Sequence, residues 1–384
     1  MPLQDYTKTY EALMQNAPAP QFKHGLRILV KPTLSFEEIQ EKVHASKMIS
    51  KKGFSVSVDG ELPKGVQVIT GEDVFKPEYK RFLNDFFSEK WEAKGDALYH
   101  FNYASLSEMM IVIFGDDCKL TSPLRIAYMG KTNKSVGLYV TAGKNSTGDI
   151  YFVKQTANDE ALYLADVVRI SGAEGSAITF MGVQNCNQNT VSFQDRRADV
   201  GPESTVIWRE AVFGGLFCRA EMHSFLNGSQ AKTDISGVYF CTDSQRVDMV
   251  TTALHNTSET FSNILTRGAI NKKAKALSRG YITIGSEAPH SEGYEKQEAL
   301  LLHPDAEADA VPNLEIHNNE VKCSHGSTVG KIDQESLFYL QSRGLTEADA
   351  KHQIIEGFFA PILHPFGDEE LNNAVSHAIR EGLR

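Results

Sequence analysis

The chain has 384 residues, 41% hydrophobic and 23% charged, and its 39 basic against 49 acidic residues give a formal charge of −10. That length supports two or three structural units with real cores, and the composition excludes a largely disordered or fibrous chain. The basic residues are spread along the sequence, which disfavours a nucleic-acid surface, and the longest apolar run, 109–114, falls far short of the roughly 20 residues that span a bilayer.

The opening MPLQDYTKTY lacks a basic stretch followed by an apolar one, so the expectation is a cytoplasmic protein without membrane insertion. Ser35-Phe36-Glu37-Glu38 has capping-box spacing, and Phe36, Ile39, Val43 and Met48 follow at helical intervals, predicting a helix that ends near Lys52. Tyr79, Phe82, Leu83, Phe86, Phe87 and Trp91 repeat at three and four and predict a second helix ending near Gly95.

From about residue 100 the texture changes to short β-type runs, at 136–141, 150–153, 178–183, 190–193, 205–208, 238–240, 247–250, 281–284, 299–302, 314–317 and 321–323. Their intervals are irregular, so no repeat period is read, and a sandwich, a large barrel or a solenoid would all fit. The Asn, Gly, Ser and Thr at the corners, as in Asn185-Cys186-Asn187-Gln188-Asn189, favour a parallel β-helix.

Helical spacing returns after Gly330 with Leu337, Phe338 and Leu340. A cap-like Thr346-Glu347-Ala348-Asp349 then precedes Ile354, Ile355, Phe358 and Phe359, with Pro361 ending the run. A last helix carries Leu371, Val375, Ala378, Ile379 and Leu383. The expected organisation is a helical region 1–99, a β core 100–330 and a helical region 331–384.

Cys118, Cys186, Cys218, Cys241 and Cys323 are odd in number and never spaced C-x-x-C, against a disulfide framework or a self-contained four-cysteine metal site. Gly326-Ser327-Thr328-Val329-Gly330-Lys331 is one residue short of a phosphate-binding loop, and Ile332 stands where a magnesium-binding hydroxyl must follow the lysine. No nucleotide is expected on this chain. On a strand, Cys323 and His325 share one face and could point a thiolate and an imidazole at the same ion; a buried cysteine beside a hydrogen-bonded histidine has the same pattern.

Asp305, Glu307 and Asp309 read as a solvated face. Gln194-Asp195-Arg196-Arg197-x-Asp199 reads as a turn-stabilising salt-bridge group, and Lys272, Lys273, Lys275 and Arg279 as a solvated edge. Phe338, Tyr339, Phe358 and Phe359 form an aromatic stripe of the kind that is ordinarily core; it lies in a small C-terminal unit with little material to cover it, and exposed aromatics there would make a docking surface. No G-x-S-x-G, H-E-x-x-H or glycine-rich dinucleotide loop is present.

An ordered series takes the reading further: Ser278-Arg279-Gly280, Leu300-Leu301-Leu302, Asp305-Ala306-Glu307-Ala308-Asp309, Pro312-Asn313-Leu314-Glu315-Ile316, Val321 to Gly330, and Leu337-Phe338-Tyr339-Leu340-Gln341-Ser342-Arg343-Gly344. Together these resemble the SufB/SufD family of iron–sulfur cluster assembly scaffolds. Pro63-Lys64-Gly65-Val66, Phe101-Asn102-Tyr103-Ala104 and the region of Asp248 and His255 extend the likeness upstream. The resemblance implies a mainly β protein, a right-handed parallel β-helix core flanked by N- and C-terminal α-helical units.

Where the SufB type carries a cysteine this chain has Gln297, and where it flanks its histidine with glutamates this chain has Ser324 and Gly326, so the likeness is to the SufD type. It implies a scaffold, not an enzyme, that pairs with a SufB-type subunit so that His325, with Cys323 beside it, helps hold a transient iron–sulfur cluster shared between the subunits. It also implies that the C-terminal helices, through Phe338, Tyr339, Arg343, Phe358 and Phe359, dock a SufC-type ATPase that supplies the hydrolysis. Two other readings stand beside this one. In a homodimeric sole scaffold, Cys186, Cys218 or Cys241 would replace the missing cysteine; in a β-helix carbohydrate-active enzyme, Asp305, Glu307 and Asp309 would be the acid and base.

Overall fold

The structure, a computed structural model, describes residues 54–58, 61–91, 97–364 and 369–383; the helix expected to end near Lys52 and the expected boundary near Gly95 lie outside them. Strands β1 (Phe54–Val58) and β2 (Val66–Thr70) are followed by helices α1 (Lys80–Phe86) and α2 (Ala97–Ala104). Then come β3 (Leu106–Phe114), β4 (Leu124–Gly130), β5 (Lys134–Ala142), β6 (Thr147–Thr156), β7 (Tyr163–Gly172), β8 (Ala177–Cys186), β9 (Val191–Val200) and β10 (Thr205–Gly214). The series continues with β11 (Phe217–Leu226), β12 (Lys232–Cys241), β13 (Arg246–His255), β14 (Phe261–Ile270), β15 (Lys275–Ile284), β16 (Glu292–Leu301), β17 (Glu307–Ile316) and β18 (Lys322–Lys331). Helices α3 (Gln334–Ser342), α4 (Glu347–Leu363) and α5 (Glu369–Leu383) close the order.

Even-numbered strands from β4 to β18 form one parallel sheet, here sheet 1, and odd-numbered strands from β3 to β17 form a second, sheet 2. The core is therefore a right-handed parallel β-solenoid with two strands per coil. Successive coils are offset by 26 to 32 residues, as the register partners Leu124–Ile150 and Lys275–Glu307 show. The expected short β runs are parts of longer strands, ten residues each from β6 onward.

The turn chemistry explains why the repeat is hard to read. At one corner Asp117, Asn145, Gly175, Glu203, Gln230, Glu259 and His290 all adopt φ between 53° and 69°, and each donates its N–H to a carbonyl of the next coil at 2.7–3.2 Å. The left-handed conformation favours Gly, Asn or Asp, but the ladder of backbone hydrogen bonds holds Glu, Gln and His in it too.

Inside, register stacks like on like. Leu124, Ile150, Phe180, Trp208, Ile235 and Ile264 form one continuous column of sheet 1, and its last two rungs are Glu295 and His325. The first six are essentially fully buried, at roughly 1.5–3 kcal/mol each for a large apolar side chain.

A charged group interrupts the apolar interior. Lys154 and Arg196 both hold Asp166, Arg196 also contacts Glu210, and Lys154 donates to Ser192 at 2.7 Å. Burial alone would raise the Asp166 pKa, but Arg196 and Lys154 outweigh it and hold the carboxyl below its usual range. For Glu210 burial prevails and its pKa is raised. His255 is a second buried polar group, a corner staple whose ring nitrogens meet Thr260 Oγ1 at 2.7 Å and Ser262 Oγ at 2.8 Å.

The outer faces of both sheets are covered. Phe82, Leu83, Phe86, Trp91, Tyr99 and Tyr103 pack on sheet 2, while Ile355, Phe359, Ile362, Val375 and Ile379 pack on sheet 1. The helix expected from Tyr79 onward is shorter than its apolar spacing suggests: α1 stops at Phe86 and a 3₁₀ turn, Glu89–Trp91, follows. Thr346 caps α4 through Asp349 N–H at 3.1 Å. Pro361 does not end that helix, which continues to Leu363; so close to the C-terminus, only the last turn has to absorb the proline.

Asp166→Ala leaves Lys154 and Arg196 buried without their shared carboxylate, and a loss of about 3–5 kcal/mol in urea unfolding is expected. His255 gives a pH signature. Burial lowers its pKa from 6.5 to about 4, so the unfolded chain takes up a proton that the folded chain refuses. Stability present above pH 6.5 is then lost as pH falls toward 4, by about 3 kcal/mol; a His255→Gln variant, compared with wild type by urea unfolding at pH 7 and pH 4.5, should lack that component.

Candidate functional site

The two ends of the solenoid differ. At the N-terminal end β1 pairs antiparallel with β4 and β2 antiparallel with β3, covering edges that would otherwise template further strands. At the other end β17 and β18 are the last strands of their sheets. Ile316 and Val329 are exposed there, at 43% and 39%.

Cys323 and His325 lie in β18, on the same face by strand alternation. Cys323 is half-buried, pairs in register with Gly293 and packs against the solenoid core. Burial raises its thiol pKa, tempered by the Gly293 backbone N–H. His325 is exposed, pairs in register with Glu295 and makes no hydrogen bond among the described residues. The pair thus presents sulfur and nitrogen donors at an open rim, too few to close a metal site alone.

Gln297, where the SufB type carries its cysteine, is fully buried. The cysteines available to a homodimeric reading are buried too: burial pushes the Cys186 and Cys218 thiols up to about 12 and raises that of Cys241 further. None of these three therefore presents a thiolate at the surface of the chain alone.

Gly326 to Lys331 is extended strand within β18, whereas a phosphate cradle needs a loop entering a helix. Glu307 pairs with Lys275, Lys272 with Asp243, and Arg279 with Asp248, so the basic cluster is largely neutralised.

The Gln194–Asp199 group is a correction: it is the body of β9, not a turn. Strand alternation sends Gln194 and Arg196 inward and Asp195 and Arg197 outward, beneath the N-terminal helices. There the structure assembles a cluster the sequence reading missed. Ligand atoms of Asp195, Glu221 and His223 lie within 4.8 Å of one another, beside a pocket lined by Tyr99, Asn102, Phe193, Gln194 and Arg219. The legible signal was Arg219-x-Glu221-x-His223 on β11, one face of a strand in register with β9.

Each carboxylate in this cluster already holds guanidinium. Asp195 takes Arg169 at 2.6 Å and Arg197 at 2.8 Å, and Glu221 takes Arg219, Arg197 and His223. Arg169 is itself boxed by the rings of Trp91, Tyr99 and Tyr103. Burial, then Arg197, lowers the His223 pKa, so a neutral imidazole is available. An ion would nonetheless have to displace Arg197 and Arg219, whose ion pairs lie wholly within sheet 2; the N-terminal helices meet this network through Tyr103 Oη, which accepts from Arg169 Nε at 2.7 Å, and through the rings of Trp91 and Tyr99.

The aromatic stripe divides. Phe338 and Tyr339 on α3 are exposed at 72% and 54%, and Arg343 lies over the Tyr339 ring. Phe358 is partly buried under Arg267, whose Nη1 donates to the Phe358 carbonyl at 2.6 Å. Phe359 is fully buried against sheet 1; it is a packing residue, which corrects its assignment to a partner-facing surface.

Residues 130–358 match the family described as "SUF system FeS cluster assembly, SufBD core domain". The chain is 33% identical over 181 residues to the iron-sulfur cluster assembly protein SufD of Escherichia coli, covering 47% of this chain and 43% of that protein. It is 29% identical over 227 residues to an iron-sulfur cluster assembly SufBD family protein of Mycobacterium tuberculosis, covering 57% of each. A SufBD family protein of Mycobacterium leprae matches at 28% over 226 residues, 59% of this chain but 25% of that one. The matches thus span a quarter to just over half of the length of these relatives.

Cys323 is the cysteine with an intermediate rather than buried environment, so alkylation of the native chain is expected at Cys323 alone, read by peptide mass spectrometry. Its rate should still be climbing at pH 9, because burial places the thiol above its ordinary range. The match over residues 130–358 and the similarity to SufD place the chain, a parallel β-solenoid, in the SufB/SufD family of iron–sulfur cluster assembly proteins, as a SufD-like member.

Proposed function

We propose that this chain is a non-ATPase scaffold subunit of a SUF-type assembly complex, pairing with a SufB-type subunit and receiving mechanical work from a SufC-type ATPase. The observation that carries the reading is the asymmetry of the solenoid. One end is capped by antiparallel strands, and the other leaves β17 and β18 unpaired on their outer edges beside Cys323 and His325. A second solenoid adding strands there would bring its own ligands to the same rim. An iron–sulfur cluster, the cargo of the complex, would be held by donors from two chains and released when they part; four thiolates on one chain would retain it.

The helical region beyond residue 330 suits the ATPase contact. Phe338, Tyr339 and Arg343 supply an exposed aromatic and cationic patch of the kind that dominates protein interfaces. Force applied there has a path into sheet 1. Arg267 on β14 donates to the Phe358 carbonyl, and Thr242 and Asn271 both donate to the Gly382 carbonyl at 3.1 Å. In this reading 1–99, which also supplies the capping strands β1 and β2, and the helical 331–384 flank a 100–330 solenoid, and the complex works in the cytoplasm. Among the described residues no helix is long and apolar enough to cross a membrane.

The test is native mass spectrometry of the complex purified without oxygen from its own host. One copy of this chain, one second solenoid chain and two ATPase chains are expected; a dimer of this chain bound only to ATPase chains would overturn the pairing. In the reconstituted complex, His325→Ala should lower cluster yield by about tenfold or more with unchanged stoichiometry, and an unchanged yield would remove His325 from the ligand set.

A further inference from the structure

We propose that Glu295 is a positioning residue for His325: the imidazole, which makes no hydrogen bond among the described residues as the structure places it, turns onto the Glu295 carboxyl one rung below, which accepts from one ring N–H so that the other ring nitrogen faces the open end of the solenoid. This rests on the ligand reading of His325 given above.

The register singles out Glu295. Its column is apolar for six successive rungs, Leu124 to Ile264, and switches to a carboxyl and then an imidazole only in the last two coils. Register partners in a parallel sheet stand about 4.8 Å apart and project to the same face, so Glu295 lies directly beneath His325. A carboxyl continuing an isoleucine column inside a solenoid has no packing rationale.

The polar groups of that layer are short of a donor. Glu295 is 4% exposed and Gln297 fully buried. Glu295 Oε1 accepts from Gln297 Nε2, but Glu295 Oε2 and Gln297 Oε1 have no hydrogen-bond partner. Two buried acceptors without a donor are costly, and an imidazole N–H one rung above would satisfy one of them. Space is made for the carboxyl: a Cβ on Gly280, across the interior on β15, would collide with Glu295 Oε1 and meet Gln297 Nε2 at 2.7 Å.

Metal-binding histidines commonly give their second N–H to a carboxylate, which fixes the tautomer and strengthens the ligand, and losing that partner typically costs 10–100-fold in metal affinity. Ligand atoms of Cys323, His325 and Glu295 do not form a three-ligand group within one ion's reach among the described residues. Glu295, lying below the rim, is thus placed to orient His325 rather than to bind metal itself.

The test is nitrogen NMR of the full chain with labelled histidine, His325 being assigned by its loss in His325→Gln. In the wild type the His325 ring should hold predominantly one tautomer, and Glu295→Leu, which continues the apolar column, should relax it to the mixture of a solvated imidazole. In the reconstituted complex the same variant should retain about tenfold less cluster. Identical His325 ring signals in wild type and Glu295→Leu would overturn the proposal. If the leucine variant does not fold, the isosteric Glu295→Gln decides by the His325 titration midpoint: a lower midpoint supports the pairing and an unchanged one overturns it. The NMR readout needs no partner, so a shifted tautomer alongside full cluster yield in His325→Ala would leave the positioning standing and remove only the ligand reading.

Discussion

Strict register between coils is the constraint on which the rest of this protein depends. In a parallel two-sheet solenoid each side chain sits on its counterpart one coil earlier, so the interior is built from columns. A column tolerates what its neighbours can accommodate: aromatic on aromatic at Phe180 and Trp208, Ser176 on Ser204 at a corner, and glycine beside a long side chain on the next rung, as Gly182 is for Glu210. It also fixes polarity along the axis. One end can be closed by antiparallel strands while the other stays open, and the positions that break the apolar rule on the Leu124–Ile264 column cluster at the open end.

The same constraint ties the helical flanks to the sheets. The N-terminal helices rest on an alternating chain of charges within sheet 2, Arg169, Asp195, Arg197, Glu221 and Arg219, and are joined to it by the Tyr103 hydroxyl and by aromatic rings over Arg169 and Arg197. The C-terminal helices are fastened to sheet 1 by an apolar face and by a few donors aimed at the carbonyls of Phe358 and Gly382. Because the sheets are continuous along the axis, a displacement of the C-terminal helices would be felt by strands that lead directly to β18.

The fold class was legible because short β-type runs, polar corners and an ordered series of family-like segments agreed. The repeat was not. Its period varies between coils, and the corner residue is defined by a left-handed backbone that seven positions fill with Asp, Asn, Gly, Glu, Gln and His. Pairing by type was misleading where strands were read as turns: Asp195 to Arg197 carry charge because one face lies under helices and the other meets a buried lysine and carboxylates. The rim pair was legible from spacing alone, since Cys323 and His325 are two apart. Glu295 was not, because its partner lies a full coil away and only register brings them together. Phe359 was misassigned for the opposite reason, since adjacent aromatics on a helix face different directions and only one of the two belongs to the surface.

The central claim is that the open end formed by β17 and β18 is the face where a second scaffold subunit completes the cluster site. Amide hydrogen exchange of this chain, alone and bound to its SufB-type partner, tests it most directly, because edge strands expose backbone groups that a partner strand would cover. Slowed exchange in residues 307–316 and 322–331 on complex formation, with β1 and β2 unchanged, is the expected result. Protection confined to the capped end, or to the outer faces of the sheets, would contradict the claim.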